Sequence, residues 1–71
     1  MIVLRVALDV PLNKLFDYLA PLMEGNEDGI TTEDIGARVR VPFGKQWKTG
    51  VIMEITARSD VPLPKLKHAA H

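Results

Sequence analysis

One acid stands out by its neighbours. In Phe16-Asp17-Tyr18 a carboxylate lies between two aromatics, where burial costs free energy unless hydrogen-bond donors meet it. Two uses fit that residue type: an Asx-type bond to the local backbone, or an acceptor aimed at a ligand's amino or hydroxyl group. The other reactive groups are less promising. Gly44-Lys45 resembles the end of a Walker motif, but the required first glycine and the Ser/Thr after the lysine are replaced by Val39 and Gln46. That excludes a nucleotide-hydrolysis site. Ser59 lies in a turn without a recognisable base, so no nucleophilic catalysis is assigned. His68 and His71 are an i, i+3 pair near the chain end, too few and too loosely held for a metal centre. The absence of cysteine removes thiolate chemistry and Cys-ligated zinc. Trp47 between Lys45 and Lys48 can stack on a planar ring or cap the end of a barrel.

These residues need a scaffold, and the scaffold reads as strands. Residues 2–8 alternate with period two, with Ile2, Leu4, Val6 and Leu8 on one face and Val3, Arg5 and Ala7 on the other. Pro11 ends that strand, because proline cannot donate to a ladder. Residues 14–19 predict a short second strand, or a single helical turn, with Phe16 and Tyr18 opposite Asp17. Residues 20–35 predict a long acidic loop with turn chemistry from Pro21, Gly25, Asn26 and Gly29. Its carboxylates are expected to be solvated rather than catalytic. Residues 36–43 form the clearest strand, with Ala37, Val39, Val41 and Phe43 inward and Arg38 and Arg40 outward. A turn over 44–49 carries Lys45, Trp47 and Lys48. The strand over 50–56 is nearly apolar on both faces and is expected to be central, with Gly50 marking a bulge or a close backbone approach. A proline-rich connection follows over 59–64, and 66–70 can begin a last strand. Four to five short strands with no helical period predict an all-β fold, a small antiparallel barrel of OB or SH3-like type. The end, Lys67-His68-Ala69-Ala70-His71, has no cap, so a barrel truncated at its carboxyl terminus and a piece of a longer protein are expected.

At 71 residues the chain holds one domain. No apolar run approaches the ~20 residues of a membrane helix, and the amino terminus lacks a signal-peptide pattern. A monomer without a membrane partner, in a reducing cytoplasm, is expected. Net charge is zero, yet it is divided. Residues 1–35 carry two bases and seven acids, a net −5, and residues 36–71 carry seven bases and two acids, a net +5. Such a chain can present a basic face to a polyanion. The placement of Asp17 then narrows the ligand. A carboxylate repels phosphate and is out of place along a continuous backbone, but it is acceptable where a strand ends in a hydroxyl.

Several segments together resemble one family. Val6-Ala7-Leu8, Val10-Pro11-Leu12, Phe16-Asp17-Tyr18, Gly36, Arg38-Val39-Arg40-Val41-Pro42-Phe43-Gly44-Lys45 and Gly50-Val51 are similar to the amino terminus of the primosomal protein N′ family, the bacterial PriA replication-restart helicases. The resemblance covers the chain except the loop over 24–34, which is longer and more acidic than the family pattern. It implies an OB-like domain over residues 1–71 that binds the 3′-hydroxyl end of the nascent leading strand at a stalled fork. By position, Asp17 would accept hydrogen bonds from the terminal base, and Phe16 and Tyr18 would shape the pocket. Gly44 would allow close backbone approach, and Lys67 would reach the terminal sugar or phosphate. Arg38, Arg40, Lys45, Trp47 and Lys48 are candidate backbone or base contacts. The resemblance also implies a bacterial cytoplasmic (nucleoid) location, forked DNA as ligand, and other primosome proteins and single-stranded-DNA-binding protein as partners of the whole helicase. ATP, Mg and Zn would belong to that parent's ATPase lobes and zinc region, so no cofactor and no catalysis are expected of this chain. The competing reading is a small SH3-like barrel that docks a protein.

Overall fold

The alternating apolar pattern at the amino terminus forms β1 (Val3–Leu8), and the Phe-Asp-Tyr segment forms β2 (Phe16–Leu19). The Arg-Val-Arg-Val-Pro-Phe run forms β3 (Arg38–Phe43), followed by the long β4 (Gln46–Thr56). The structure, a computed structural model, describes residues 2–21 and 32–70. Most of the acidic loop expected over 20–35 therefore lies outside the described residues; its end, Thr32–Asp34, is a short 3-10 turn. The strands pair antiparallel in the order β2-β1-β4-β3 and curl into a half-barrel. Among the described residues no helix is long and apolar enough to cross a membrane.

The segment over 66–70, read as the beginning of a last strand, does not form a continuous strand. It makes two isolated bridges, one to each edge of the sheet. The Leu19 N–H donates to the Lys67 carbonyl at 2.8 Å, and the Ala69 N–H donates to the Leu19 carbonyl at 2.9 Å. Arg40 and Ala70 exchange two further bonds of 3.0 and 2.7 Å. Edge strands left open are templates for unwanted pairing. Here one short segment joins β2 to β3, and buried Leu66 and Ala69 anchor it. Lys67 is thereby held through its own carbonyl, which accepts from Leu19.

Leu4, Val6, Tyr18, Val39, Val41, Ile52 and Ala69 form the core, with Leu8, Phe16 and Ile55 packed against it. The face division expected for β1 is incomplete, since Ile2 is exposed and Val3 is wholly buried outside that cluster. Gly50 does mark a close approach. A Cβ there would lie 2.7 Å from the Ala7 carbonyl oxygen and collide with the Val6 and Leu8 side chains. The irregularity itself is three residues on. Arg5 pairs with Glu54 but Val6 pairs with Ile52, leaving Met53 as the extra residue of a bulge. The bulge resets the alternation, so Met53 and Glu54 are both exposed and Ile55 returns toward the core.

Three further expectations are corrected. β4 is central by pairing, but it is not buried on both faces, because Val51 and Met53 are exposed. Ala37 is exposed rather than inward. The turn after β3 is only Gly44-Lys45, so Trp47 and Lys48 belong to β4. Gly44 has φ 63°, which a two-residue type II′ hairpin requires at its first central position.

Candidate functional site

β2 is the strand that matters most, and its hydrogen-bond parity decides what it can offer. In an antiparallel ladder, successive residues turn their N–H and C=O alternately toward and away from the neighbour. Leu19 turns both groups away from β1, toward the 66–70 segment. By the same alternation Asp17, two residues earlier and opposite Arg5, turns its main-chain N–H and C=O away from β1. These groups face the gap between β2 and the residues preceding Lys67.

The Asp17 side chain is satisfied by neither of the partners its sequence context suggested. The Ser59 hydroxyl donates to one carboxylate oxygen at 2.5 Å, and the Arg5 Nε lies 3.6 Å from the other. Arg5 also reaches Glu54, with its Nη1 3.2 Å from a carboxylate oxygen. The Ser59 oxygen in turn accepts the Val61 N–H at 3.0 Å. Ser59 thus has a structural partner instead of a catalytic base, and it hangs the connection after β4 on β2. A carboxylate oxygen has two lone pairs, so each retains acceptor capacity.

Tyr18 is buried, and its hydroxyl donates to the Pro42 carbonyl at 2.8 Å. That bond crosses the barrel from β2 to β3. Proline is tolerated there because position 42, two residues from Arg40, turns its backbone groups away from β4. Burial raises the Tyr18 pKa above its ordinary 10.0, so the phenol stays protonated at neutral pH. Phe16 meets Phe43 edge to face, with centroids 5.2 Å apart and planes at 88°. The Lys14 ammonium lies 5.0 Å from the Phe16 ring centroid.

These contacts frame a cleft of about 300 Å³ lined by Lys14, Leu15, Phe16, Asp17, Tyr18, Pro42, Phe43, Gly44, Val61, Lys65 and Lys67. Its size is at the small end of ligand sites. Phe16, Asp17, Tyr18, Gly44 and Lys67, from three separated parts of the chain, all line it. A Cβ on Gly44 would meet nothing within 4 Å, so that wall is open to a closely approaching group. Arg38, Arg40, Lys45, Trp47 and Lys48 do not line the cleft. Trp47 is exposed, which rules out the capping role, and the Arg40 guanidinium lies 5.5 Å from its ring centroid. Lys45 is exposed in the hairpin turn, and Lys48 is opposite Val41 in the core-facing phase of β4.

Sequence reasoning missed Lys14 and Lys65, which line the cleft beside Lys67, and Arg5 and Ser59, which hold Asp17. Only the basic residue type of Lys14 and Lys65 hinted at a role. With Asp17 already facing Arg5, three ammonium groups leave the lining cationic, as an anionic ligand needs. His68 is occupied as well: its Nδ1 lies 2.8 Å from the Ala20 carbonyl, and because a carbonyl only accepts, that nitrogen donates. His71 lies outside the described residues.

Comparison with known proteins gives a consistent result. The family model for the 3′ DNA-binding domain of PriA matches residues 5–71. The replication restart protein PriA of Haemophilus influenzae is 45% identical over 67 residues, which cover 94% of this chain and 8% of that protein. The chain thus spans only a small part of that relative's length.

Proposed function

The chain belongs to the PriA family of 3′ DNA-binding domains, a DNA-binding family of replication restart, and from that premise we propose that the cleft beside β2 holds the 3′-hydroxyl end of a DNA strand. The observation that carries the reading is the convergence of Phe16, Asp17, Tyr18, Gly44 and Lys67 on one small cleft. The outward N–H and C=O of Asp17 hydrogen-bond the terminal base, and the remaining lone pairs of its carboxylate add acceptor capacity. Every base carries at least one donor and one acceptor on its pairing edge, so one N–H and one C=O can meet any of them with little sequence preference. Phe16 and Tyr18 shape the wall, and Gly44 lets the terminal sugar approach the hairpin backbone. Lys67, with Lys14 and Lys65, holds the last internucleotide phosphate. An additional 3′-phosphate would bring negative charge toward the Asp17 carboxylate, which opposes binding.

The test is fluorescence anisotropy with a short labelled single strand ending in a 3′-hydroxyl or a 3′-phosphate. Preference for the hydroxyl is expected, and equal affinity would sink the end-binding reading. In the biological setting the ligand is the nascent leading strand at a stalled fork. The chain supplies binding there, and a larger ATP-dependent 3′-to-5′ helicase, working in the bacterial cytoplasm with other primosome proteins and single-stranded-DNA-binding protein, supplies the catalysis.

A further inference from the structure

The outer face of the β3–β4 hairpin is built differently from the cleft and is joined to it. Cross-strand pairing sets Arg38 opposite Val51, Arg40 opposite Thr49 and Pro42 opposite Trp47. These six residues occupy the alternation phase opposite to buried Val39, Val41, Gly50 and Ile52, and so share the solvent side. Trp47 is 54% exposed. An indole that open to water loses hydrophobic stabilisation, and the ring face that Arg40 does not cover is a stacking platform. The Arg40 guanidinium lies 5.5 Å from its ring centroid, and among the described residues neither Arg38 nor Arg40 has a carboxylate partner. Both arginines are exposed, so their charge lies at the surface of this face. Its position relative to the cleft is equally telling. Pro42 lines the cleft and is the cross-strand partner of Trp47. From Pro42 to Arg38 the strand runs about 13 Å at the usual rise per residue.

We propose that this face is a second nucleic-acid site, which takes the nucleotides 5′ of the terminal dinucleotide as single-stranded DNA. This inference rests on the end-binding reading for the cleft. A strand leaving the cleft crosses the hairpin at Pro42 and Gly44 and reaches Trp47, which stacks on a base. Arg40 and Arg38 meet the phosphates that follow. Aromatic stacking beside cationic side chains is the chemistry that recognises a single strand without reading its sequence.

Trp47 is the sole tryptophan, so the unmodified protein reports directly. A 3′-hydroxyl hexanucleotide should quench its fluorescence, and a dinucleotide should leave it nearly unchanged. The hexanucleotide should bind about tenfold more tightly than the dinucleotide, the scale of one stacked base with accompanying charge contacts. Trp47→Ala should remove most of that gain and leave dinucleotide affinity as it was. Trp47→Phe should retain part of it, and Arg40→Gln should flatten the salt dependence of the hexanucleotide alone. Far-ultraviolet circular dichroism checks that each variant folds. An unresponsive Trp47, or a length gain that survives in both Trp47→Ala and Arg40→Gln, overturns the proposal and leaves this face to a protein partner. Failure of the end-binding reading looks different. The dinucleotide would then ignore its 3′ group, while a hexanucleotide blocked at its 3′ end would still quench Trp47.

Discussion

On its cleft side the β3–β4 hairpin meets β2 and the 59–67 segment, and the polar groups there are held. Tyr18 bonds the Pro42 carbonyl, Ser59 and Arg5 hold Asp17, and Phe16 packs on Phe43. On its outer side the same hairpin exposes Arg38, Arg40 and Trp47, with the Arg40 guanidinium over the Trp47 ring. A cleft whose polar groups are held in place suits a single terminal group, where position decides affinity. An open cationic face with one aromatic suits a strand of any sequence. The difference suggests that recognition of an end and retention of the strand are separate tasks of one hairpin.

The most damaging change should strike what both surfaces share. Gly50→Val drives a side chain into the Ala7 carbonyl and the Val6 and Leu8 side chains, where β1 and β4 pair. It should cost about 3 kcal/mol of stability in urea unfolding, and cleft and outer face should be lost together. A variant of near-wild-type stability would mean that β1 and β4 are not this close.

Asp17→Ala should separate the two surfaces. It should weaken 3′-end binding by about 1–3 kcal/mol, the range for a hydrogen bond to a charged group. Quenching of Trp47 by a long strand should persist at higher concentration. Unchanged dinucleotide affinity would take the carboxylate out of the contact and leave the main-chain groups of residue 17 alone with the base.

Tyr18→Phe removes the bond to Pro42 and should cost about 1 kcal/mol of stability. The sign of its pH effect follows from burial. The folded pKa is raised above 10.0, so the stabilisation is complete below that value and is lost as pH climbs through the folded pKa. The stability difference between wild type and variant should therefore shrink in strongly alkaline solution. A difference independent of pH would contradict the buried, donating phenol.

Lys67→Gln should have the smallest effect. It should weaken binding a few-fold and lower the slope of log K against log salt by about 0.7, the value for one phosphate contact on a single strand. Loss of 3′-hydroxyl preference in this variant would assign end discrimination to the lysine instead of Asp17.

Much of the scaffold was legible because it follows alternation. Val39 and Val41 against Arg38 and Arg40 mark β3 without ambiguity. The start of β4 was not legible, since Gln46, Trp47, Lys48 and Thr49 hold no apolar residue in the core-facing phase. Lys48 occupies that phase opposite Val41, so the pattern mimics a turn. The 66–70 segment has no periodicity of its own, because its bonds go to two different strands.

The chain's residue order alone determined an all-β domain, the punctuation of its strands by proline and glycine, and Asp17 as the odd acid, while the resemblance to a family added Phe16, Tyr18, Gly44 and Lys67. It also predicted outward arginines on β3. Tertiary structure decided that those five residues share one cleft, that Lys14 and Lys65 join them, and that Asp17 is held by Arg5 and Ser59. The reason is physical. Alternation is a property of one strand, and its period can be read in line. The direction of a backbone N–H, the partner of a carboxylate and the closing of an edge depend on register, which exists only once strands distant in the chain have paired.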